Sequence, residues 1–262
     1  MTFTKTSLIA ACFMLQANVA SAVPFDIQID FSGDASFQSA FDDAANQWEG
    51  LITGYQNDND LGPLIISASV ADFDGVGGKL GLAGPTGVVT TDGFTYATSG
   101  IMQFDVADMT ELISAGLFSD VVLHEMAHVM GFGTLWDANG VYANGTGAYT
   151  GAAGLAAYQD EFDPDATFVP VELDGGQGTA NAHWDEDWAG GSDALMTGFL
   201  NLEPNSNAPV LSETTIQSFA DIGFEVRDFV GPTPTIVPLP AGGLFLASAL
   251  TGLAWTRRRK TT

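Results

Sequence analysis

The chain has 262 residues, 46% of them apolar, and carries 32 acidic residues against 7 basic ones. All 32 acids lie between Val23 and Ile236, where only Lys79 and Arg227 oppose them, a net charge of −30 for that stretch. Such a surface excludes nucleic acid and anionic membrane as natural partners and favours solubility, while about 210 residues between the two termini suffice for one domain with two lobes.

Met1 to Ala22 reads as a secretory signal peptide. Lys5 precedes an apolar run from Leu8 to Met14, and Ala20-Ser21-Ala22 forms an A-x-A cleavage site before Val23. Ile9 to Cys12 weakly matches a lipoprotein box, but the apolar run before Cys12 is too short for lipidation. Cleavage removes Cys12, the only cysteine, so the exported fold must rest on its core and on metals rather than on disulfides.

Phe25, Ile27, Ile29 and Phe31 alternate as a half-buried strand. Phe37, Phe41, Ala44, Trp48 and Leu51 then recur at helical spacing, with Ser36 as a candidate cap; this aromatic stripe reads as core. Leu64 to Val70 is a second strand, Gly75 to Gly87 is glycine-rich and reads as irregular, and Gly100 to Asp105 holds a further strand. Asp108 can cap a short helix after it. Asn57-Asp58-Asn59-Asp60, Asp72-Phe73-Asp74-Gly75 and Asp163-Pro164-Asp165 bring hard oxygen ligands together, which makes calcium a second candidate ion; none completes a calcium-loop pattern.

The next segment carries the chemistry. His124 to Trp136 reads HEMAHVMGFGTLW and opens with HExxH. Four residues of α-helix advance about 6 Å and rotate about 400°, so His124 and His128 share one face and can bind one zinc ion. Glu125, one step round, faces the open coordination position, where a general base belongs. Ser119 is a candidate N-cap, the intervening residues are apolar, and Gly131 can take the left-handed stop. A third protein ligand is required. Asp137 or Glu161 could serve, but the one remaining histidine, His183, suits zinc better and has no other evident purpose.

Between Trp136 and His183, Ala138 to Gly154 reads as loop, Ala152 to Phe162 as a short helix and Thr167 to Leu173 as strand-like. Ser212 can cap a last helix using Ile216, Phe219 and Ala220, stopped by Gly223. Residues 231–236 form a Pro/Thr linker. From Val237 to Trp255 an apolar run of roughly 17 to 19 residues can just span a bilayer, and Arg257, Arg258, Arg259 and Lys260 would stay cytoplasmic.

HExxHxxGxGTLW, the distant His183-Trp184 pair, Leu195-Met196-Thr197-Gly198 and Leu211 to Val226 together resemble the leishmanolysin-like branch of the metzincin metalloendopeptidases. The resemblance runs from about Phe25 to Val226. It implies an α+β zincin fold, with a twisted mixed sheet and packed helices in the N-terminal lobe and a smaller irregular C-terminal lobe ending in a helix. Most metzincins place the third histidine where this chain has Thr134; the leishmanolysin-like branch inserts a long segment first, as His183 requires. By the same resemblance the insertion folds back to deliver His183, Met196 is the Met-turn methionine, and an edge strand, for which Leu80 to Val89 is the candidate, holds extended substrate by backbone pairing. The chain departs from relatives that carry a glutamate at the position of Ala194 or a tyrosine at that of Gly198, which leaves oxyanion stabilisation to the metal and backbone groups. The C-terminal tail, with Val237-Pro238-Leu239-Pro240-Ala241, resembles PEP-CTERM bacterial sorting signals, implying an exosortase-type processing partner; retention as a permanent anchor is the alternative.

The expectation is therefore a catalytic domain over residues 23–230, flanked by a signal (1–22), the linker and a tail (237–262). It would be exported to the bacterial cell surface or medium and meet the membrane only through the tail. There it would hydrolyse protein or peptide substrates with one catalytic zinc and Glu125 as base. The competing class is a non-catalytic surface or matrix protein that keeps a metal site for structure.

Overall fold

The computed structural model describes residues 24–72, 75–76, 80–199 and 209–227, which fall in one compact unit ending at Arg227. The signal peptide, the linker, the tail and part of the Asp72–Gly75 acidic stretch lie outside the described residues. Among those described, no helix is long and apolar enough to cross a membrane.

The architecture is α+β, with a mixed four-stranded sheet and, among the described residues, five helices. Strands β1 (Ile27–Ser32), β3 (Leu64–Ala71) and β5 (Phe94–Asp105) run parallel, and β4 (Gly81–Thr91) pairs antiparallel with β5 in the order β1-β3-β5-β4. Helix α1 (Gln38–Leu51) buries the expected aromatic stripe. Phe41 meets Phe31 and Phe104 of the sheet at ring-centroid distances of 5.0 and 5.4 Å. Trp48 joins α1 to the rest of the core: its indole N–H donates to the Leu123 carbonyl at 3.1 Å and its ring lies 5.0 Å from Phe219. Strand β2 (Ile52–Tyr55) follows α1 directly and pairs with β8 (Phe224–Val226).

The glycine-rich stretch is more regular than its composition suggests. Residues Gly81 to Gly87 lie inside β4, which takes Pro85 beside a register shift, as the last strand of the sheet can. A two-residue turn closes the β4–β5 hairpin: Thr91 pairs with Phe94, and Asp92 and Gly93 both have positive φ, 49° and 88°. Asp-Gly is the residue pair that this turn favours, a signal masked by the neighbouring glycines and threonines. Strand β4 is thus the sheet's outer strand, on the segment expected to be an edge.

Helix α2 (Met109–Ala115) ends at Gly116 in the left-handed region, φ 76°, and Leu117 donates its N–H back to Leu112. That tight turn starts α3 (Phe118–Met130) with Leu117 at the N-cap, so Ser119 sits inside the first turn rather than capping it. Asp108 and the Ser36 region likewise make no side-chain cap; α1 begins after Phe37. Helix α3 packs on β4 and β5. Gly100 of β5 permits this, because a Cβ there would run into the Val129 side chain.

After α3 the expected loop is interrupted by β6 (Ala148–Tyr149), and the expected strand at Thr167 to Leu173 shortens to β7 (Val169–Pro170), which pairs with β6. Pro170 has no N–H to extend a ladder, and Val171 turns instead to bridge Trp184. Helices α4 (Ala152–Glu161) and α5 (Glu213–Asp221) cap one another. Asp221, at the end of α5, accepts from Ala153 N, Gly154 N and Tyr149 Oη, each at 2.8 Å. Glu161, at the end of α4, accepts from Glu213 N at 2.8 Å and Thr214 N at 2.6 Å. Ser212 adds the expected cap, taking Thr215 N at 3.1 Å. Each helix therefore satisfies first-turn donors of the other with a carboxylate beside its positive end. Replacing Asp221 with Ala should lower stability by about 2 kcal/mol, seen as a lower urea midpoint at unchanged slope.

Candidate metal centre

Helix α3 places His124 and His128 one turn apart and buries its opposite face through Val122, Met126 and Val129. At Gly131 the chain leaves the helix with φ 122°, and the carbonyl of Phe132 returns to accept from His128 Nδ1 at 3.0 Å. The next glycine matters equally. Gly133 has φ 70°, and a Cβ on it would collide with the backbone of Ala182, so the chain after α3 touches the chain just before His183.

His183 is held from several sides. Its backbone carbonyl accepts from Glu172 N at 3.0 Å, its Nδ1 faces the Thr179 carbonyl at 2.9 Å, and the following Trp184 N donates to the Met196 carbonyl at 2.9 Å. The residue before Met196 serves the helix: the Leu195 carbonyl accepts from His124 Nδ1 at 2.6 Å. Met196 is fully buried, flanked by these two contacts.

These bonds settle which ring nitrogen carries hydrogen. A carbonyl oxygen only accepts, so each Nδ1 must be the protonated nitrogen and each Nε2 must present a bare lone pair. The three Nε2 atoms face one another at 3.0, 3.0 and 3.1 Å. Three acceptors this close, with no hydrogen among them, repel unless a cation lies between them and the cleft. The spacing is close to the roughly 3.3 Å that separates nitrogens around a tetrahedral ion bound at about 2.0 Å. His124, His128 and His183 therefore can hold a metal ion. Burial lowers the basicity of all three rings; for His183 burial, and then the neighbouring His124, bring it down to about 3. The rings stay neutral, as ligation requires.

The other candidate ligands lie elsewhere. Glu161 is engaged at the start of α5, and Asp137 is exposed in the turn after α3. No other group of three or more acidic, histidine or cysteine side chains comes within metal-binding reach among the described residues.

Glu125 borders the trio in a cleft of about 550 Å³, whose walls are β4, the first turns of α3 and the segments around His183 and Met196. Burial pushes its carboxyl up to about 8. It lies against the outer strand: a Cβ on Gly81 would stand 2.9 Å from Glu125 Oε1. The carbonyls of Phe132, Thr179 and Leu195 escaped notice in the sequence because every residue type supplies one. Gly133 and Gly81 were visible as glycines but not as close approaches. No protein-family model matches the chain, and no curated protein matches it.

If the trio binds a metal as argued, addition of a divalent cation should raise the melting temperature of the wild type, by an amount growing with cation concentration. His183→Ala should abolish both that rise and the metal retained after desalting, measured by elemental analysis. Gly133→Ala, which keeps all three histidines but pushes on the backbone before His183, should weaken metal binding.

Proposed function

We propose that the protein is an exported zinc-dependent endopeptidase of the leishmanolysin-like metzincin type. The observation that carries this reading is the triangle of bare Nε2 atoms next to a partly buried carboxyl group, all opening on a cleft beside the sheet's outer strand. Three imidazoles with room for a further ligand suit zinc. Bound there, zinc would supply Lewis acidity, lowering the pKa of water and polarising a carbonyl oxygen.

The chain's own residues then have distinct tasks. Glu125 takes the proton of the attacking water on its carboxylate and returns it to the leaving amine nitrogen. Among the described residues nothing hydrogen-bonds the Glu125 side chain, so it is spare for that transfer rather than committed to the fold. Leu80, just before β4, and Gly81 to Ala83 within it line the cleft, and the outer edge of that strand offers backbone groups to an extended substrate. Gly81 lets that strand approach Glu125. The carbonyls of Leu195, Phe132 and Thr179 orient the ligand rings, the part that outer hydrogen bonds play at metal sites.

The signal-like N-terminus and the PEP-CTERM-like tail support export to a bacterial surface or medium, with an exosortase-type enzyme as processing partner. A purely structural metal site, the competing reading, gives no reason for a partly buried carboxyl with no partner beside it. The zinc-loaded protein should digest an unfolded protein such as casein, stop with chelator and resume with zinc. Glu125→Ala should lose about a thousandfold or more in hydrolysis while keeping its zinc. Bound zinc with no digestion by the wild type would favour the structural reading.

A further inference from the structure

The chain after Met196 forms one wall of the cleft, with Thr197, Gly198 and Phe199 all in its lining. It passes close to a candidate ligand: a Cβ on Gly198 would run into the Thr179 side chain and stand 3.7 Å from Cγ of His183. Phe199 reaches toward the loop before His183, where a Cβ on Gly175 would lie 3.2 Å from its Cζ atom. The residue is 56% exposed, so its ring is bare beside the opening.

Up to Thr197 this wall is tied to its own turn: Thr197 donates its N–H and its hydroxyl to the Ala194 carbonyl at 3.3 and 2.9 Å. Beyond it the anchor is a side chain. Phe199 N donates to Oε1 of Glu186 at 3.1 Å, its one hydrogen bond among the described residues, and the Gly198 N–H also faces that carboxylate. Glu186 stands three residues after His183, so one short segment carries both a candidate ligand and the anchor of the wall. Its setting is not a comfortable one for a charge. Burial holds its carboxyl above the usual range, the Phe199 and Gly198 N–H groups pull against that, and the Glu172 and Asp185 carboxylates add to it. Carboxylate and amides therefore compensate one another, in bonds stronger than those between neutral groups.

Resting on the endopeptidase reading, we propose that Glu186 is a positioning residue for that hydrolysis: its side chain fixes the Gly198–Phe199 backbone as the wall against which substrate is seated beside the three histidines. Its reach matters more than its charge, because the wall needs an oxygen atom at hydrogen-bond distance from its N–H groups. A wall that contacts substrate equally before and during the reaction acts on binding, so loosening it raises KM and spares kcat. A residue that merely closed a surface turn would move neither.

The test compares the zinc-loaded wild type with two variants. Glu186→Gln keeps the reach and loses the charge, whereas Glu186→Asp keeps the charge and falls one methylene short. Steady-state kcat and KM are read on one casein-derived peptide, together with bound zinc. Glu186→Asp should raise KM about tenfold with kcat and zinc content unchanged, and Glu186→Gln should stay near the wild type. In a double-mutant cycle with Phe199→Ala, the Asp substitution should cost less than it does alone. An unchanged KM in Glu186→Asp, an equal or larger loss in Glu186→Gln, an additive cycle, or loss of zinc in either variant overturns the proposal and leaves the endopeptidase reading standing. If the wild type cleaves nothing, that reading falls, and fluorescence anisotropy with the same peptide decides the rest. Weaker binding by Glu186→Asp alone supports the positioning role in a peptide-binding cleft, whereas any other ranking of the three proteins overturns it.

Discussion

Three ring nitrogens with exposed lone pairs stand 3.0–3.1 Å apart, and the hydrogens that could relieve them are already committed to backbone carbonyls. The arrangement opposes itself in the absence of a cation, so something else must hold it. That work falls to Phe132, just past the helix, Thr179, shortly before His183, and Leu195, beyond it. A side chain asked to fix a ring could swing away; a carbonyl in a packed turn cannot move without its neighbours. The ligand geometry is thus a property of the backbone path, which has to bring positions 124, 132, 179 and 195 to one place.

Aromatic packing brings them there. Phe132 contacts Trp136 and Trp184 at 4.6 and 5.0 Å, Trp136 stacks on Trp184 at 4.9 Å, and Trp184 stacks on Trp188 at 5.6 Å. Tyr158 of α4 continues the column on Trp188 at 5.6 Å. The column starts immediately after the histidine helix and passes through the residue that follows His183. Large flat rings buried together give the segment between Trp136 and His183 a reason to fold back even though it has little regular structure. The reciprocal caps of α4 and α5 then fix the far end, and the close approach of Gly133 to Ala182 sets the near one.

Much of this was legible beforehand, and the residues that were not share a cause. His124, Glu125 and His128 announce themselves because their spacing equals a helical turn, and His183 because the chain has no fourth histidine. The α1 stripe and the Ser212 cap follow from local periodicity and local hydrogen bonding. What local pattern could not convey was long-range pairing. The Gly81–Gly87 stretch is strand because β5 lies beside it, not because its residues favour extension. The caps at Ala153 and Thr214 come from residues some 50 to 70 positions away, beyond any window used to find helix ends. Ser119 failed as a cap because the turn at Gly116 and Leu117, a tertiary fit between two helices, had already fixed where α3 begins.

Glu125 sits where the histidine helix and the outer strand meet. Its carboxyl lies against Gly81 in surroundings that favour the neutral acid, with a pKa pushed up to about 8 by burial. A group in that state at neutral pH would be a proton donor, not a base. The bare nitrogen triangle beside it invites positive charge, and a cation held there favours the carboxylate in turn. With a cation held by the three histidines, the Glu125 carboxylate would help offset the charge that neutral imidazoles leave uncancelled, and that charge would in turn favour the carboxylate. At one carboxyl group, then, burial favours the neutral acid while a cation in the histidine triangle would favour the carboxylate.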